Sequence, residues 1–540
     1  MRYWRSRAFA VLLAVSLLCQ WALQTPATAW GAGGQPGLSS ESQPAPDPGQ
    51  MGPTFPRYSD FLSAAGGRPP TVSPAVLPLA RSPADPSPQY VTVPGDFPAI
   101  SVTSLASGTA DGDIFAGIFA WDKSTPISYL VILDNQGQPV YYQKMPNYAH
   151  DFTVLPNGNL AYYDWNRSAF IIMDSSYREI DMIKPAQGYQ ANEHELQLLP
   201  NGHYLWLVDE TRIVDMSKLV ANGNPRASVT GQVIQELDQN EHVVFEWHTL
   251  DYIPVTDSDQ DLTAGQIDYT HSNAVQQDTD GNLLLSSRHL DEIIKINRQT
   301  GAIMWRLGGK ENQFVFLLAP GVSGPAEFYK QHDVRRLPDG HISIFDNHND
   351  HQPQVSRALE YVVDETAKTA TLVWAYNATA ADFALAMGNL QRLPNGNAFI
   401  DWGSNLYPNI TELKPDGTKA LEIDFGKSYV SYRAFRLPWH GYPTWPPALV
   451  LRPANNALEL TFSWNGATEV SSYQVYGGNS PSSLALLGVR PKTGFETTTM
   501  LQGAQAAFCF YRIVPVDLQG KPMGTSAEAR NGAAGGQGCS

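Results

Sequence analysis

Four imidazoles hold related positions in this chain. His150, His194 and His332 open the segments HDFTVLPNG, HELQLLPNG and HDVRRLPDG, each eight residues before a glycine. His271, in THSN, stands ten residues before Gly281. A structural repeat normally echoes apolar residues and turns, so a repeated histidine asks for a chemical reason. An imidazole can serve as nucleophile or acid/base near neutral pH. One cation joins the set: Arg288, followed directly by His289 in SSRH. A guanidinium among imidazoles repels a metal ion but offers a planar fork of donors to an oxyanion. The chemistry expected is therefore transfer or binding of an anionic group, with no metal. Neither a GxSxG elbow nor an HExxH helix motif occurs.

The elements that must position these residues follow from the glycines. These lie in turn signals: LPNGN from Leu155, LPNGH from Leu199, DTDGN from Asp278, LPDGH from Leu337 and LPNGN from Leu393. Short β-rich runs flank each one, such as LAYYD, YLWLVD, LLLSSR, ISIFDN and AFIDWG, and third and fourth runs often follow. Four strands per unit at blade-sized spacing predicts a β-propeller. Five units carry the turn, the strands between Asp113 and Met145 supply a sixth, and SYRAFRLPWHGYP, around Tyr432, closes the ring. A β-helix or a long sandwich is the alternative.

In a propeller the first strand of each blade lies nearest the axis. Ring symmetry then brings His150, His194, His271 and His332 to one mouth of the central channel. The second strands return to the same face and end at Asp164, Asp209, Arg288 with His289, Asp346 with Asn347, and Trp402 with Gly403. In the last marked unit Gly388 takes the histidine's place, beside Asn389. Asp151, Glu195 and Asp333 are expected to point the other way and to hydrogen-bond between blades. His150 is as readily an inter-blade structural histidine as a functional one.

The bulk properties set limits. The chain has 540 residues, too many for one ordinary core, and its net charge of -16 with no long basic run argues against nucleic acid as a partner. Residues 1–29 read as an export signal: Arg2, Arg5 and Arg7 precede an apolar run, and cleavage after Ala29 is reasonable. An uncleaved anchor is the other reading, and no later segment is long and apolar enough to span a bilayer. A secreted, periplasmic or cell-surface protein follows. Residues 30–95 form a Pro/Gly/Ser-rich linker and arm, 96–446 the propeller, 447–530 a small β-sandwich resembling a fibronectin type III domain, and 531–540 a flexible tail. The fold class is thus all-β. Once Cys19 leaves with the signal, Cys509 and Cys539 form a disulfide or remain a buried thiol and a tail thiol.

Five segments in order carry a family resemblance: VVFEWHTLDYIPV, DYTHSNAV, LLLSSRHLDEIIKINRQTGAIMWRLGGK, QHDVRRLPDGHISIFDN and GNLQRLPNGNAFIDWG. Together they resemble the arylsulfotransferase family, the exported arylsulfate sulfotransferases that use no nucleotide donor. The resemblance implies a six-bladed propeller with its site in the central channel. It also implies transfer of a sulfuryl group from a phenolic sulfate donor to a phenol acceptor through a sulfohistidine, without cofactor. Carried onto this sequence, it makes His332 the nucleophile and Arg288 the ligand of the sulfuryl oxygens. His271 and Asn273 would come from HSN, with Asn273 a neutral donor. His194 would be the acid/base for the phenol oxygen, a role for which His150 competes. His150, His289 and Asn347 would line the substrate. A propeller that binds a sulfated or carboxylated ligand without turnover, and a purely structural surface protein, are the other readings.

Overall fold

The computed structural model describes residues 90–120, 127–352, 354–377, 383–426 and 428–532. The expected signal, most of the linker, Cys19, Cys539 and most of the tail lie outside the described residues. Cys509 is buried and disulfide-bonded.

Six sheets, each with a four-stranded antiparallel core, follow one another along the chain. Their innermost strands are Tyr429–Leu437, Ala149–Val154, Gln190–Leu198, Ser272–Gln277, His332–Arg336 and Asn389–Arg392. We number the blades one to six in that order. The expected turns join first to second strands in blades two to six. In blade two the Gly158 N–H donates to Leu155 O (2.8 Å) and the Leu155 N–H to Asn159 O (2.7 Å). The same bonds recur at Leu199, Asp278, Leu337 and Leu393. The glycine is required because its φ is positive, +83° at Gly158.

Closure comes from Tyr429–Leu437, which pairs antiparallel with Asp113–Ala120 from Asp113↔Leu437 to Ala120↔Tyr429. The C-terminal strand of the propeller thus becomes the inner strand of the first blade, as the segment around Tyr432 led one to expect.

The blade interiors explain why many strands read as continuous apolar runs. Leu283–Ser287 is buried along its whole length. Leu283 and Leu285 pack toward blade three with Trp247, while Leu284 packs toward blade five with Phe328 and Val334. A central strand covered on both faces has no reason to alternate.

After the propeller, two sheets pack as a sandwich. One holds Ala448–Ala454, Ala457–Ser463 and Thr497–Gln502; the other holds Ser483–Pro491, Ser472–Ser480, Phe510–Val516 and Ala527–Arg530 in that spatial order. Trp464 and Tyr511 lie in its core. The sandwich docks on the first and second blades. Tyr177 donates to Gly466 O (2.8 Å) and accepts from Trp439 Nε1 (2.8 Å), and Asn465 exchanges two hydrogen bonds with the Tyr142 backbone.

Candidate active site

The inner strands of blades two, four and five begin irregularly. Register shifts fall between His150 and Thr153, between Ser272 and Ala274, and between His332 and Arg335. Asp151, His271 and Asp333 adopt left-handed backbone there, with φ of +54°, +45° and +57°. Such a bulge re-aims side chains that a regular pleat would send to opposite faces. Each histidine is thereby separated from the acid that follows or flanks it: His194 and His271 come together, while Asp151, Glu195 and Asp333 converge on the axis. There they meet Arg433 of the closing strand. These acids do bond between blades, through the axial Arg433 guanidinium and, for Glu195, also through Arg335 of blade five.

His332 is 2% exposed. Its Nδ1 lies 2.6 Å from Asn347 Oδ1. The Asn347 amide is fixed, because its Nδ2 donates to Ala384 O and Met387 O, both at 3.0 Å. Oδ1 must then accept, so Nδ1 carries the proton and Nε2 keeps its lone pair. The Met387 N–H approaches that nitrogen at 3.3 Å. Burial, then the nearby Arg288 charge, hold the imidazole neutral, far below its ordinary pKa. Asn347, expected against the substrate, is thus found orienting His332.

Arg288 sits at the end of Leu283–Ser287, in a short turn tied to His271 O by its own N–H (3.1 Å). Its Nη1 donates to His289 Nε2 (2.9 Å) and its Nη2 to Leu385 O (3.2 Å), while Nε has no partner among the described residues. Burial lowers its pKa from the ordinary arginine value. His289 donates from Nδ1 to Asp268 O (2.7 Å), and burial, then His271, hold it neutral at about 3. His289, expected to line the substrate, is placed to fix the Arg288 fork.

His271 and His194 complete the mouth, with ring centroids 5.0 Å apart. The His271 Nδ1 lies 2.5 Å from Asp268 Oδ2. Burial alone would raise the Asp268 pKa, but His271, His289 and Arg288 override it, so the carboxylate stays ionised. Asp268, His271 and His289 present possible metal-ligating atoms within 4.8 Å of one another. Both His289 nitrogens are engaged, one by a guanidinium, so the set does not suit a cation. His194 Nδ1 lies 2.8 Å from Asn192 Oδ1, and burial, then His271 and His332, hold His194 neutral.

His150 stacks on Tyr432 (5.3 Å, 15°), accepts from Trp165 Nε1 at 3.2 Å, and is held neutral by burial at about 3. Asn273 is fully buried between blades, with Nδ2 donating to Gln331 O (2.7 Å).

Sequence reasoning overlooked Asp268, although an acid three residues before His271 was a readable signal. It read the segment around Tyr432 only as closure. Yet Tyr432 donates toward His194 O and Asn273 O at 3.2 and 3.3 Å and packs on both His150 and His194.

The fold and site define a six-bladed propeller with a histidine–arginine cluster at one channel mouth. A family profile described as arylsulfotransferase (ASST) matches residues 106–435, and the chain belongs to that family. Among solved structures it is similar to a protein of unknown function from Bacteroides caccae, at 12% identity and a TM-score of 0.38 over 60% of this chain and 98% of that one. It is also similar to a streptogramin B lyase, at 11% and 0.31 over 60% and 86%. An inactive virginiamycin B lyase of Staphylococcus aureus solved with quinupristin matches at 10% and 0.29 over 67% and 95%. No curated protein matched the chain. No described helix is long and apolar enough to cross a membrane.

Proposed function

We propose that the protein is an exported arylsulfate sulfotransferase that works through a sulfohistidine at His332. The observation carrying this reading is the tautomer of His332: Asn347 holds its Nδ1 proton, so Nε2 is the unprotonated nitrogen, reached by the Met387 N–H at 3.3 Å and under the influence of the Arg288 charge. In the first half-reaction the Nε2 lone pair attacks the sulfur of a phenyl sulfate. The S–O(aryl) bond breaks and its electron pair leaves with the phenol oxygen. In the second, an acceptor phenol oxygen attacks the same sulfur, and the S–N bond breaks to return the pair to Nε2. No oxidant or cofactor enters either step.

Sulfuryl transfer spreads charge over three equatorial oxygens, so fixed donors carry much of the catalysis, as in phosphoryl transfer. Arg288 would supply its unpaired Nε–H and the outer edge of its fork. The proton moving to and from the phenol oxygen is best served by His271. It reaches solvent in the mouth, and Asp268 orients it much as a carboxylate orients a general base. His194, expected in that role, would act as its neutral neighbour. Asn273 retains one amide N–H for a sulfuryl oxygen, and His150 with Tyr432 forms the floor.

The substrates would be a phenolic sulfate donor and a phenol acceptor, and the exported location rests on the N-terminal signal pattern. Residues 96–446 would form the catalytic propeller and 447–530 a fibronectin type III-like module, whose strand order of three and four supports that comparison. Incubation with 4-nitrophenyl sulfate and a phenol should release nitrophenolate. Release no greater than that of His332→Ala would overturn the proposal and favour a binding propeller.

A further inference from the structure

Arg433 is 1% exposed and stands on the channel axis beneath the histidines. It belongs to the inner strand of blade one, yet it touches the inner strands of four other blades. Nη1 lies 3.3 Å from Asp151 Oδ1 in blade two and 3.0 Å from Glu195 Oε2 in blade three. Nη2 donates to Asn273 O in blade four at 2.7 Å, and Nε lies 3.4 Å from Asp333 Oδ1 in blade five. The next residue completes the circle: Ala434 exchanges hydrogen bonds with the Asn389 side chain of blade six, at 2.9 and 3.0 Å.

Three of the residues that Arg433 holds directly follow His150, His194 and His332, and the fourth, Asn273, lies two after His271. One guanidinium therefore contacts a residue one or two places after each of these four histidines, through side-chain carboxylates at Asp151, Glu195 and Asp333 and through the backbone carbonyl at Asn273. Arg335 adds a second cation, bonded to Glu195 at 2.7 Å and close to Asp333 at 2.6 Å.

We propose that Arg433 is a positioning residue for the transfer reaction, acting through these four inner strands to hold His194, His271 and His332 at working distance. The proposal rests on the sulfotransferase reading for its catalytic consequence and on the ion cluster for its geometry. A guanidinium suits the role because its planar fork bonds several acceptors in different directions, which an ammonium cannot do from one point. The cluster sets two cations, Arg433 and Arg335, against the carboxyl groups of Asp151, Glu195 and Asp333. Arg433 also adds positive potential at His194 and His332, which favours their neutral forms.

Three variants of the full chain test this. Arg433→Lys keeps the charge and loses the fork, and Arg433→Gln loses both. Glu195→Gln removes one acceptor and spares the guanidinium, so it decides the matter if the Arg433 variants do not fold. In folded Arg433→Lys, kcat should fall at least ~10-fold with KM within ~3-fold, and the acid limb of the pH profile should stay in place. In Arg433→Gln that limb should also move up by about one pH unit, because the neutral histidines lose a repelling cation. Glu195→Gln should lower kcat at unchanged KM. NMR titration of the histidine rings without substrate should show the same upward movement in Arg433→Gln alone. Folded variants with wild-type kcat, or a loss confined to KM, or identical histidine titrations in the Lys and Gln variants would overturn the proposal. If wild type forms no sulfated enzyme, the sulfotransferase reading fails, while the ring titrations still test the hub.

Discussion

His332 depends on one amide for its chemistry. Asn347 selects the tautomer that leaves Nε2 unprotonated, and its own orientation is set by two backbone carbonyls. Asn347→Leu removes the acceptor and lets the proton move to Nε2. It should lower kcat by about 10²-fold in the folded variant, measured by nitrophenolate release. The pH dependence follows from the same site. Burial and Arg288 depress the His332 pKa, so the nucleophile should remain neutral when an ordinary histidine would be protonated. A rate profile whose acid limb lies well below about 6.5 is expected; an acid limb at that value would show an imidazole exposed to water.

At the scale of the strands, the sequence revealed the address of the histidines but not how their neighbours are used. The LPNG-type turns and the histidine spacing were local signals, and they located the inner strands and the mouth. The left-handed bulges at Asp151, His271 and Asp333 have no comparable signature, because these are not glycines. Arg433 and Asp151 lie 282 residues apart, so no local pattern could pair them.

Gly388 shows a different limit. It was legible as the missing histidine, but the reason lies in packing. A Cβ there would come within 2.6 Å of the Phe345 ring and 2.9 Å of Asp401 O, at a φ of +99°. Gly388→Ala should cost about 3 kcal/mol, read by urea unfolding. Asp401, in the second strand of the same blade, accepts from Ser431 at 2.5 Å, and burial pushes its pKa up to about 8. Its protonated form belongs to the fold, so its stabilising contribution is lost as pH rises from the unfolded value near 3.9 through about 8. Asp401→Asn should match wild type near pH 5 and be the more stable protein at pH 9 in thermal unfolding.

The whole molecule is closed twice. The strand Tyr429–Leu437 closes the ring by backbone hydrogen bonds to Asp113–Ala120, and its Arg433 belongs to the axial ion cluster that ties the blades together. The sandwich then seats against blade two through Tyr177, whose hydroxyl links Trp439 just beyond the closing strand to Gly466 of the sandwich. Tyr177→Phe should destabilise the chain by about 1–3 kcal/mol, since it leaves a buried carbonyl and an indole N–H unpaired. Sequence alone could not join propeller and sandwich, because the contact rests on single polar atoms outside any repeat.

The most direct test of the whole mechanism is mass spectrometry of the intact enzyme after brief exposure to a phenyl sulfate without acceptor, followed by peptide mapping. The expected result is one added sulfuryl group on His332, absent from His332→Ala and discharged when a phenol is added. An unmodified enzyme that still releases phenol, or a sulfuryl group on another residue, would contradict it.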